Sequence, residues 1–207
     1  SNSSGLYQGL LMDAPFLFVD EVDTAGRRCL VRLDLNVPLA DGEVTDDTRI
    51  RRILPGLEAL RRKGAKIIIL THLGRPKGKV KPEFSVEPVA ACLSRILGCA
   101  VPVEPDILGQ GARDAVAGMS DGDVLMFENL RFHPQEEAND IGFAASLASL
   151  GEIYVGDAFS CTHRAHASVE ALPRMMEVAT AGRALGEELT ALHEALASPK
   201  RPVAAIV

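Results

Sequence analysis

The sequence predicts an α/β fold, with helices on both faces of a doubly wound parallel β-sheet. Short apolar runs alternate with longer amphipathic stretches along most of the chain, and this order is typical of parallel strands joined by helices. The run "IIIL" (67–70) is apolar at every position, as expected for a strand that is covered on both faces. Because crossovers between parallel strands are nearly always right-handed, the alternation predicts a Rossmann-like domain of three layers.

The predicted elements follow one another in a regular order. We predict strands at 28–36, 65–74, 100–105, 122–130 and 152–159, and a further strand at 203–207. Amphipathic spacing predicts helices at 48–64, 85–98, 109–119, 140–151 and 184–199. Gly64 and Gly98 are expected to end the first two helices, and Ser85 is a candidate N-cap. Pro55 is expected either to kink the first helix or to move its start.

The composition is that of a globular chain with a slight excess of acidic residues. Of the 207 residues, 47% are hydrophobic and 24% are charged, and the formal net charge is −6. No apolar run reaches the roughly 18 residues that a membrane-spanning helix needs, so we expect no membrane partner. The acidic balance argues against nucleic acid as a partner. Any anion that the protein binds must therefore be held by a local cluster of positive charge.

The first residues and the cysteines bear on the cellular location. Residues 1–12 lack the basic and long apolar segments of a secretory signal. We interpret them as a tag or a loose N-terminal arm, followed by an α/β domain over 13–183. The four cysteines form no C-x-x-C pair, and a domain of this size needs no disulfide, so reduced thiols and a cytoplasmic location are expected.

Polar and basic residues follow the ends of four predicted strands. Asp34 and Asn36 follow the first strand, and "THLGRPKG" (71–78) follows the second. "ENLRFHP" (128–134) and "GDAFSCTHRAH" (156–166) follow two later strands. The carboxyl ends of parallel strands share one edge, and ligands of open α/β sheets bind in the crevice there. We therefore expect these segments to form one basic pocket.

The side chains of these segments suit a small, multiply charged anion. Arginine presents parallel N–H groups to a phosphate or carboxylate, and histidine adds a short donor. Asp34 and Asn36 are poorly suited to phosphate, and we expect them to bond a substrate hydroxyl instead. Asp34 could also orient an arginine.

Each segment has a simpler interpretation when it is taken alone. The Gly-Arg-Pro-Lys-Gly loop is typical of a solvated turn, and "HRAH" lacks a third zinc ligand, so we expect no metal. Cys161 beside His163 fits a loop cysteine better than a nucleophile, and His133 and His193 are expected to be structural or surface residues. Neither G-x-x-x-x-G-K-[ST] nor a strand-linked G-x-G-x-x-G occurs, so a nucleotide site is not supported. The joint occurrence at four strand ends favours the pocket.

Six segments together resemble the phosphoglycerate kinase family. They are, in chain order, "VRLDLNVPL", "DDTRIR", "THLGRPKG", "LMFENLRFHPQEE", "GDAFSCTHRAHAS" and "SPKRPVAAIV". The resemblance runs from about Cys29 to Val207 and matches the N-terminal half of that enzyme. It implies the reversible transfer of a phosphoryl group from 1,3-bisphosphoglycerate to ADP, which gives 3-phosphoglycerate and ATP in glycolysis.

The resemblance also implies roles for individual residues. Arg49 would be the catalytic arginine, which neutralises charge on the transferred phosphoryl group. The phosphate that is not transferred would be held by three arginines and a histidine, namely Arg75, Arg131, Arg164 and His72. Asp34 and Asn36 would contact the glycerate. The implied substrate-binding set is Asp34, Asn36, Arg49, His72, Leu73, Gly74, Arg75, Arg131, His163 and Arg164.

The fifth of the six segments departs from the family pattern. The family usually has "NDAFGTAHRAH" where this chain has "GDAFSCTHRAH", so Gly156, Ser160, Cys161 and Thr162 are unusual. A serine in place of a loop glycine changes the loop path if the position requires a positive φ. We expect substrate binding to be retained but weakened.

The same resemblance assigns the C-terminal segments. Residues 184–199 would be an interdomain helix, and 203–207 the first strand of a nucleotide-binding domain that this sequence does not include. We expect Mg²⁺ and ATP or ADP to be bound mainly by that domain, and none of them tightly by these residues. The expected partners are 3-phosphoglycerate, 1,3-bisphosphoglycerate and the C-terminal domain of the same chain, in a protein that is monomeric at full length.

Two other functions remain open at this point. The chain could be a stand-alone phosphoglycerate-binding module without catalysis, and the reading frame beyond Val207 would separate this hypothesis from the enzyme. A dinucleotide-dependent oxidoreductase would share the fold but would need the missing glycine fingerprint. Calorimetry with NAD and with 3-phosphoglycerate would separate that hypothesis.

Overall fold

The structure is a computed structural model that describes the backbone of residues 17–197 and the side chains of residues 17–192. The predicted arm at 1–12 and the predicted strand at 203–207 lie outside the described residues. The strands are β1 (Arg28–Leu33), β2 (Leu39–Ala40), β3 (Glu43–Val44), β4 (Lys66–Leu70), β5 (Val103–Glu104), β6 (Val124–Phe127), β7 (Ile153–Asp157) and β8 (Val178–Ala181). The α-helices are α1 (Thr48–Arg62), α2 (Glu87–Leu97), α3 (Gln110–Ala117), α4 (Pro134–Glu137), α5 (Ile141–Ala148), α6 (Leu172–Met175) and α7 (Arg183–Ala197).

Six of these strands form one parallel sheet. Their order across the sheet is β5-β6-β4-β1-β7-β8, and every pair in it is parallel. The central strand β1 places Val31 beside Ile69 of β4 on one side and beside Val155 of β7 on the other. The predicted α/β fold with a parallel sheet is confirmed.

Helices cover both faces of the sheet, because alternate strand residues point to opposite sides. On one face, Val31 and Ile69 belong to a core shared with Ile53 of α1 and Val89 of α2. On the other face, Leu30 belongs to a second core with residues of α3, α5 and α6. The buried isoleucines of β4 serve both cores, which explains why that strand is apolar throughout.

The first two helices end as predicted, and α1 also begins at the predicted residue, whereas α2 begins two residues later than predicted. Gly64 (φ 78°) and Gly98 (φ 64°) adopt the left-handed conformation that follows many helices. Helix α1 begins at Thr48 with Pro55 inside it, so Pro55 does not set its start. Ser85 is not the N-cap of α2, because Val86 occupies that position. The Ser85 hydroxyl nevertheless accepts from the backbone N–H of Glu87 at 3.3 Å, and it donates to Glu128 at 2.7 Å.

Some elements were not predicted. Strand β8 and the β2–β3 hairpin were missed, and so was a single π-helical turn at Ala167–Ala171. The strand predicted at 100–105 is only two residues long, at Val103–Glu104. The chain just before 3-10 turn Val19–Glu21 also joins the sheet edge, since the backbone N–H of Ala181 donates to the carbonyl of Leu17 at 2.8 Å.

Helix α7 packs against α1 and β7. Arg52 of α1 forms an ion pair with Glu188 of α7, and Arg183 forms one with Asp20 at 2.9 Å. Among the residues that the structure describes, no helix combines the length and the apolar character that crossing a bilayer requires.

Candidate anion-binding site

Hydrogen bonds join the loops that follow β1 and β4. The hydroxyl of Thr71, just after β4, donates to the carbonyl of Leu33 at 3.0 Å and accepts from the backbone N–H of Leu35 at 3.2 Å. The side-chain oxygen of Asn36 accepts from the backbone N–H of Gly74 at 2.8 Å. The first two predicted segments therefore lie side by side at the carboxyl edge of the sheet.

The buried Asn129 attaches the loop after β6 to the same place. Its amide nitrogen donates to the carbonyls of Leu73 (2.7 Å) and Phe84 (2.9 Å), and its oxygen accepts from the backbone N–H of Arg131 at 3.0 Å. The guanidinium of Arg131 in turn donates to the carbonyl of Gly74 at 2.9 Å. Sequence reasoning missed Asn129, although an amide two residues after an apolar strand was a visible signal.

Gly74 is required by the close approach of these loops. Its φ is +60°, and a Cβ at this position would lie 2.4 Å from the ring of Phe84. A side chain there would therefore displace the backbone N–H and C=O that bond Asn36 and Arg131.

Asp34 is at the centre of the site. Its Oδ2 accepts from the guanidinium of Arg49 and from the hydroxyl of Ser160, and its Oδ1 accepts from the backbone N–H of Asn36 at 3.2 Å. Burial raises the pKa of Asp34, but the bonds from Ser160 and Asn36 and the charge of Arg49 outweigh it, so the net pKa is lowered. Asp34 thus forms an ion pair with Arg49.

His72 is buried and neutral. Its Nδ1 lies 3.0 Å from the guanidinium of Arg32, a fully buried residue of β1. Burial, followed by the charges of Arg32 and Arg131, lowers the pKa of His72 to about 2. At neutral pH the ring can therefore donate one hydrogen bond without carrying charge.

Arg131 and Arg164 supply the positive charge. Arg131 is 3% exposed, and its Nε has no hydrogen-bond partner within the described part of the chain, with the Glu137 carboxylate 3.8 Å away. Burial lowers the pKa of Arg131, and the nearby charge of Arg164 lowers it further. Arg164 also lowers the pKa of His72. These side chains therefore form a positive cluster that an anion would stabilise.

Two predicted residues occupy more exposed positions. Arg75 is exposed on the loop after β4. His163 is also exposed, and its Nε2 accepts from the Arg164 guanidinium at 3.4 Å. Cys161 is buried and lies near His72 instead of pairing with the exposed His163.

A cavity of about 270 Å³ lies beside the positive cluster, between α1, α7 and the end of β7. Asp34 and Arg49 line it, together with Asp157, Ser160 and Glu188. Asp34 is also close to the positive cluster, since its carboxylate lies within 4.8 Å of a ring nitrogen of His72. Asp34 is therefore common to the cavity and the positive cluster.

The donor atoms of Asp34, His72 and Cys161 lie within 4.8 Å of one another. Mg²⁺ prefers oxygen ligands in octahedral geometry. One carboxylate, one imidazole and one thiol do not provide this ligand set. The described residues therefore do not fit Mg²⁺ at this point of the site.

The fold and the site define an α/β protein with a basic, anion-type pocket where four loops meet at the carboxyl edge of a parallel sheet. The family model described as phosphoglycerate kinase matches residues 19–207. The chain belongs to the phosphoglycerate kinase family.

Individual relatives agree with this assignment. The phosphoglycerate kinase of Chloroherpeton thalassium is 52% identical over 189 residues, which are 91% of this chain and 48% of that protein. The solved phosphoglycerate kinase of Coxiella burnetii is 37% identical, with a TM-score of 0.83 over 91% of this chain and 47% of that one. The enzyme of Pyrococcus horikoshii gives a TM-score of 0.81 at 29% identity, over 90% of this chain and 47% of that one. The chain spans about half the length of the relatives that it matches.

Proposed function

We propose that this chain is the substrate-binding half of a phosphoglycerate kinase, which transfers a phosphoryl group from 1,3-bisphosphoglycerate to ADP. In this proposal the site binds 3-phosphoglycerate or 1,3-bisphosphoglycerate. The observation that carries the proposal is the buried guanidinium of Arg131, whose Nε has no hydrogen-bond partner among the described residues. Since a buried donor without a partner is costly, a phosphate oxygen is a fitting acceptor for it.

The positive cluster would hold the phosphate that is not transferred. Arg131 and Arg164 would contribute charge, and the neutral ring of His72 would contribute one N–H. Arg75, exposed on the neighbouring loop, would fold over the bound phosphate. The phosphoryl group that is transferred would then lie in the cavity that Asp34 and Arg49 line.

The glycerate part would contact the loop after β1. The Asp34 carboxylate would accept from the substrate hydroxyl, and the Asn36 amide would contact the carboxyl end. Asn36 is held in place by the backbone N–H of Gly74. The positions of these two side chains thus depend on the packing of the adjacent loops.

Arg49 would act as the catalytic residue. Its side chain is about half exposed at the first turn of α1, where it pairs with Asp34 and lines the cavity. When a substrate hydroxyl occupies Asp34, Arg49 would turn towards the transferred phosphoryl group and neutralise the charge that develops on it.

ATP or ADP and Mg²⁺ would be bound by a C-terminal nucleotide-binding domain. Relatives of this chain extend to about twice the length that it matches, which leaves room for such a domain. Helix α7 would connect the two halves, and closure would bring the nucleotide to the cavity beside Asp34. We further propose that the complete protein is a monomer in the cytoplasm.

Calorimetric titration with 3-phosphoglycerate tests the proposal. The protein should bind the ligand, and Arg131→Ala should weaken binding by about 10- to 100-fold, because a hydrogen bond to a charged group contributes about 1.5–3 kcal/mol. Arg62→Ala removes an exposed arginine at the end of α1, away from the site. This control should bind as tightly as the unaltered protein.

Two results would contradict the proposal. One is the absence of binding by a folded, unaltered protein. The other is an equal loss of affinity in Arg131→Ala and Arg62→Ala, which would indicate nonspecific attraction by surface charge.

A further inference from the structure

Arg32 is an unusual residue for a buried core strand. It is the next-to-last residue of β1, a central strand of the sheet, and it is only 1% exposed. A buried guanidinium is costly unless its donors are paired and its charge is compensated. The contacts of Arg32 therefore indicate why the position holds an arginine.

Within the described part of the chain, Arg32 forms three side-chain hydrogen bonds. Its Nε donates to the hydroxyl of Ser168 at 2.8 Å, and one terminal nitrogen donates to the carbonyl of Leu33. The other terminal nitrogen faces Nδ1 of His72 at 3.0 Å. Arg32 thus connects the interior of the protein to a residue of the candidate site.

Ser168 connects Arg32 to a buried carboxylate through hydrogen bonds. Its hydroxyl donates to Glu136 at 2.5 Å, and its backbone N–H donates to the other oxygen of Glu136 at 2.9 Å. Tyr154 fixes Ser168 further by donating to its carbonyl at 2.8 Å. Glu136 and Ser168 are both 0% exposed. The network therefore compensates the charge of Arg32 without contact with solvent.

The contact with Arg32 determines the tautomer of His72. A guanidinium has only donors, so Nδ1 of His72 must accept, and the proton of the neutral ring is then on Nε2. Within the described part of the chain, the contact with Arg32 is the one hydrogen bond of the His72 ring, and it involves Nδ1 and not Nε2. An available donor thus remains on a ring that is otherwise buried.

Burial and, after it, the surrounding charges keep the pKa of this ring low. Arg32 from β1, Arg131 from the turn after β6 and Arg164 from the loop after β7 disfavour the imidazolium form, and Asp34 is the opposing charge. Together with burial they lower the pKa of His72 to about 2. Cys161 is a further neighbour, and its Sγ lies within 4.8 Å of a ring nitrogen of His72.

We infer that Arg32 is a positioning residue, which holds His72 as a neutral donor with its Nε2–H available to the bound anion, and that Ser168 and Glu136 hold Arg32. This inference rests on the proposed function for the identity of the anion, 3-phosphoglycerate. The same tautomer leaves Nε2 without a free lone pair. For that reason the cluster of Asp34, His72 and Cys161 is a poor metal site while Arg32 remains in place.

Nitrogen NMR of the unaltered protein tests the inference without any substitution. The ring shifts of His72 should show a proton on Nε2 and should not change between about pH 5 and pH 8, the range in which an ordinary histidine titrates. A proton on Nδ1, or a titration within that range, would overturn the inference.

A paired substitution tests the role of the network. Arg32→Met with Glu136→Gln removes both buried charges together, which costs much less stability than removing one of them. In this variant His72 should lose its fixed tautomer, and 3-phosphoglycerate should bind about tenfold more weakly, with an affinity that changes with pH. Unchanged His72 shifts in a folded variant would show that Arg32 does not set the tautomer.

The matched control removes a similar pair from the other end of the same strand. Arg28 and Glu152 form a partly exposed ion pair at 3.1 Å, and Arg28→Met with Glu152→Gln should change neither the His72 shifts nor the affinity. Failure of the unaltered protein to bind 3-phosphoglycerate would reject the proposed function, whereas the His72 shifts would still decide the role of Arg32.

Discussion

At the scale of single residues, Ser160 competes with the proposed substrate. Its hydroxyl donates to Oδ2 of Asp34, the carboxylate that would accept from a substrate hydroxyl. Ser160 is not among the residues with a positive φ, so this serine does not force the loop into a strained path. The weaker substrate binding that we expect from this serine would therefore not come from an altered loop path. The hydrogen bond from Ser160 to Asp34 must break before Asp34 can accept from the substrate hydroxyl.

Ser160→Ala should strengthen the binding of 3-phosphoglycerate. Removing a competing hydroxyl releases one hydrogen bond of about 0.5–1.5 kcal/mol, which corresponds to an affinity about 2- to 10-fold higher. Calorimetry on the purified protein measures the change.

Thr162→Ala provides the control for this experiment. The Thr162 hydroxyl donates to the carbonyl of Phe159 at 2.8 Å in the same loop and is exposed. Its loss should leave the affinity unchanged. Weaker binding by Ser160→Ala would mean that the hydroxyl assists the ligand.

At the scale of elements, the start of helix α7 depends on an aspartate from another strand. Asp157, at the end of β7, accepts from the backbone N–H of Leu185 at 2.7 Å, within the first turn of α7. Gly182 permits this approach, since a Cβ there would lie 2.3 Å from the Asp157 carboxyl carbon. Burial nevertheless dominates and raises the pKa of Asp157 to about 6.

This shift predicts that Asp157 destabilises the fold as the pH rises. The folded protein holds a proton on Asp157 up to about pH 6, whereas the unfolded chain releases it near pH 3.8. The stability that this proton confers is complete below pH 3.8 and is lost as the pH rises through 6. Relative to Asp157→Asn, the free energy of unfolding of the unaltered protein should fall by about 3 kcal/mol across that window.

Urea titrations at several pH values measure this difference. Both proteins contain His72, whose own effect on stability therefore cancels when the two are compared. Asp46→Asn is the control, because hydrogen bonds from Thr48 lower the pKa of the exposed Asp46 and give a dependence of opposite sign. A difference between unaltered protein and Asp157→Asn that is constant with pH would contradict the prediction.

The sequence predicted the long elements better than the short ones. Strand β4 is apolar throughout and α1 places Ile50, Ile53 and Leu57 on one buried face, so local patterns sufficed. Strand β8 was missed because "VATA" is short and half alanine, a residue that is depleted in strands, and because its place depends on pairing with β7. A pattern confined to four residues does not contain that long-range information.

The rim of the candidate site was predictable, but its support was not. Asp34, His72 and Arg131 were visible as polar residues after apolar runs. Asn129 and Arg32 were not singled out, because their roles arise only from contacts with distant backbone and side chains. Sequence spacing indicates which loops meet, whereas buried pairing becomes visible only in three dimensions.

At the scale of the whole molecule, the chain matches about half of its relatives' length. A 207-residue polypeptide of the printed sequence should therefore bind 3-phosphoglycerate without transferring phosphate. A coupled assay with ATP, run beside the calorimetric titration, measures both properties. Turnover at a rate typical of kinases, about 1–100 per second, would contradict this prediction.

In a protein that includes the C-terminal domain, Arg49→Ala and Arg131→Ala should differ in their effects. Arg49→Ala should reduce kcat by about 1,000-fold or more with little change in KM, as for other arginines that stabilise phosphoryl transfer. Arg131→Ala should chiefly raise the KM for 3-phosphoglycerate. Steady-state kinetics separates the two effects, and equal losses of kcat would reject the division of roles.

The network beneath the rim also sets a condition for protein design. Arg32 and Ser168 are 136 residues apart in the chain, yet they meet under the pocket. Grafting only the visible loops onto another parallel sheet would leave the imidazole free to flip and to take up protons. A successful transplant must therefore include the buried guanidinium of Arg32 and the buried carboxylate of Glu136, together with Ser168 between them. The smallest transferable pocket then consists of the surface loops and the buried residues that support them.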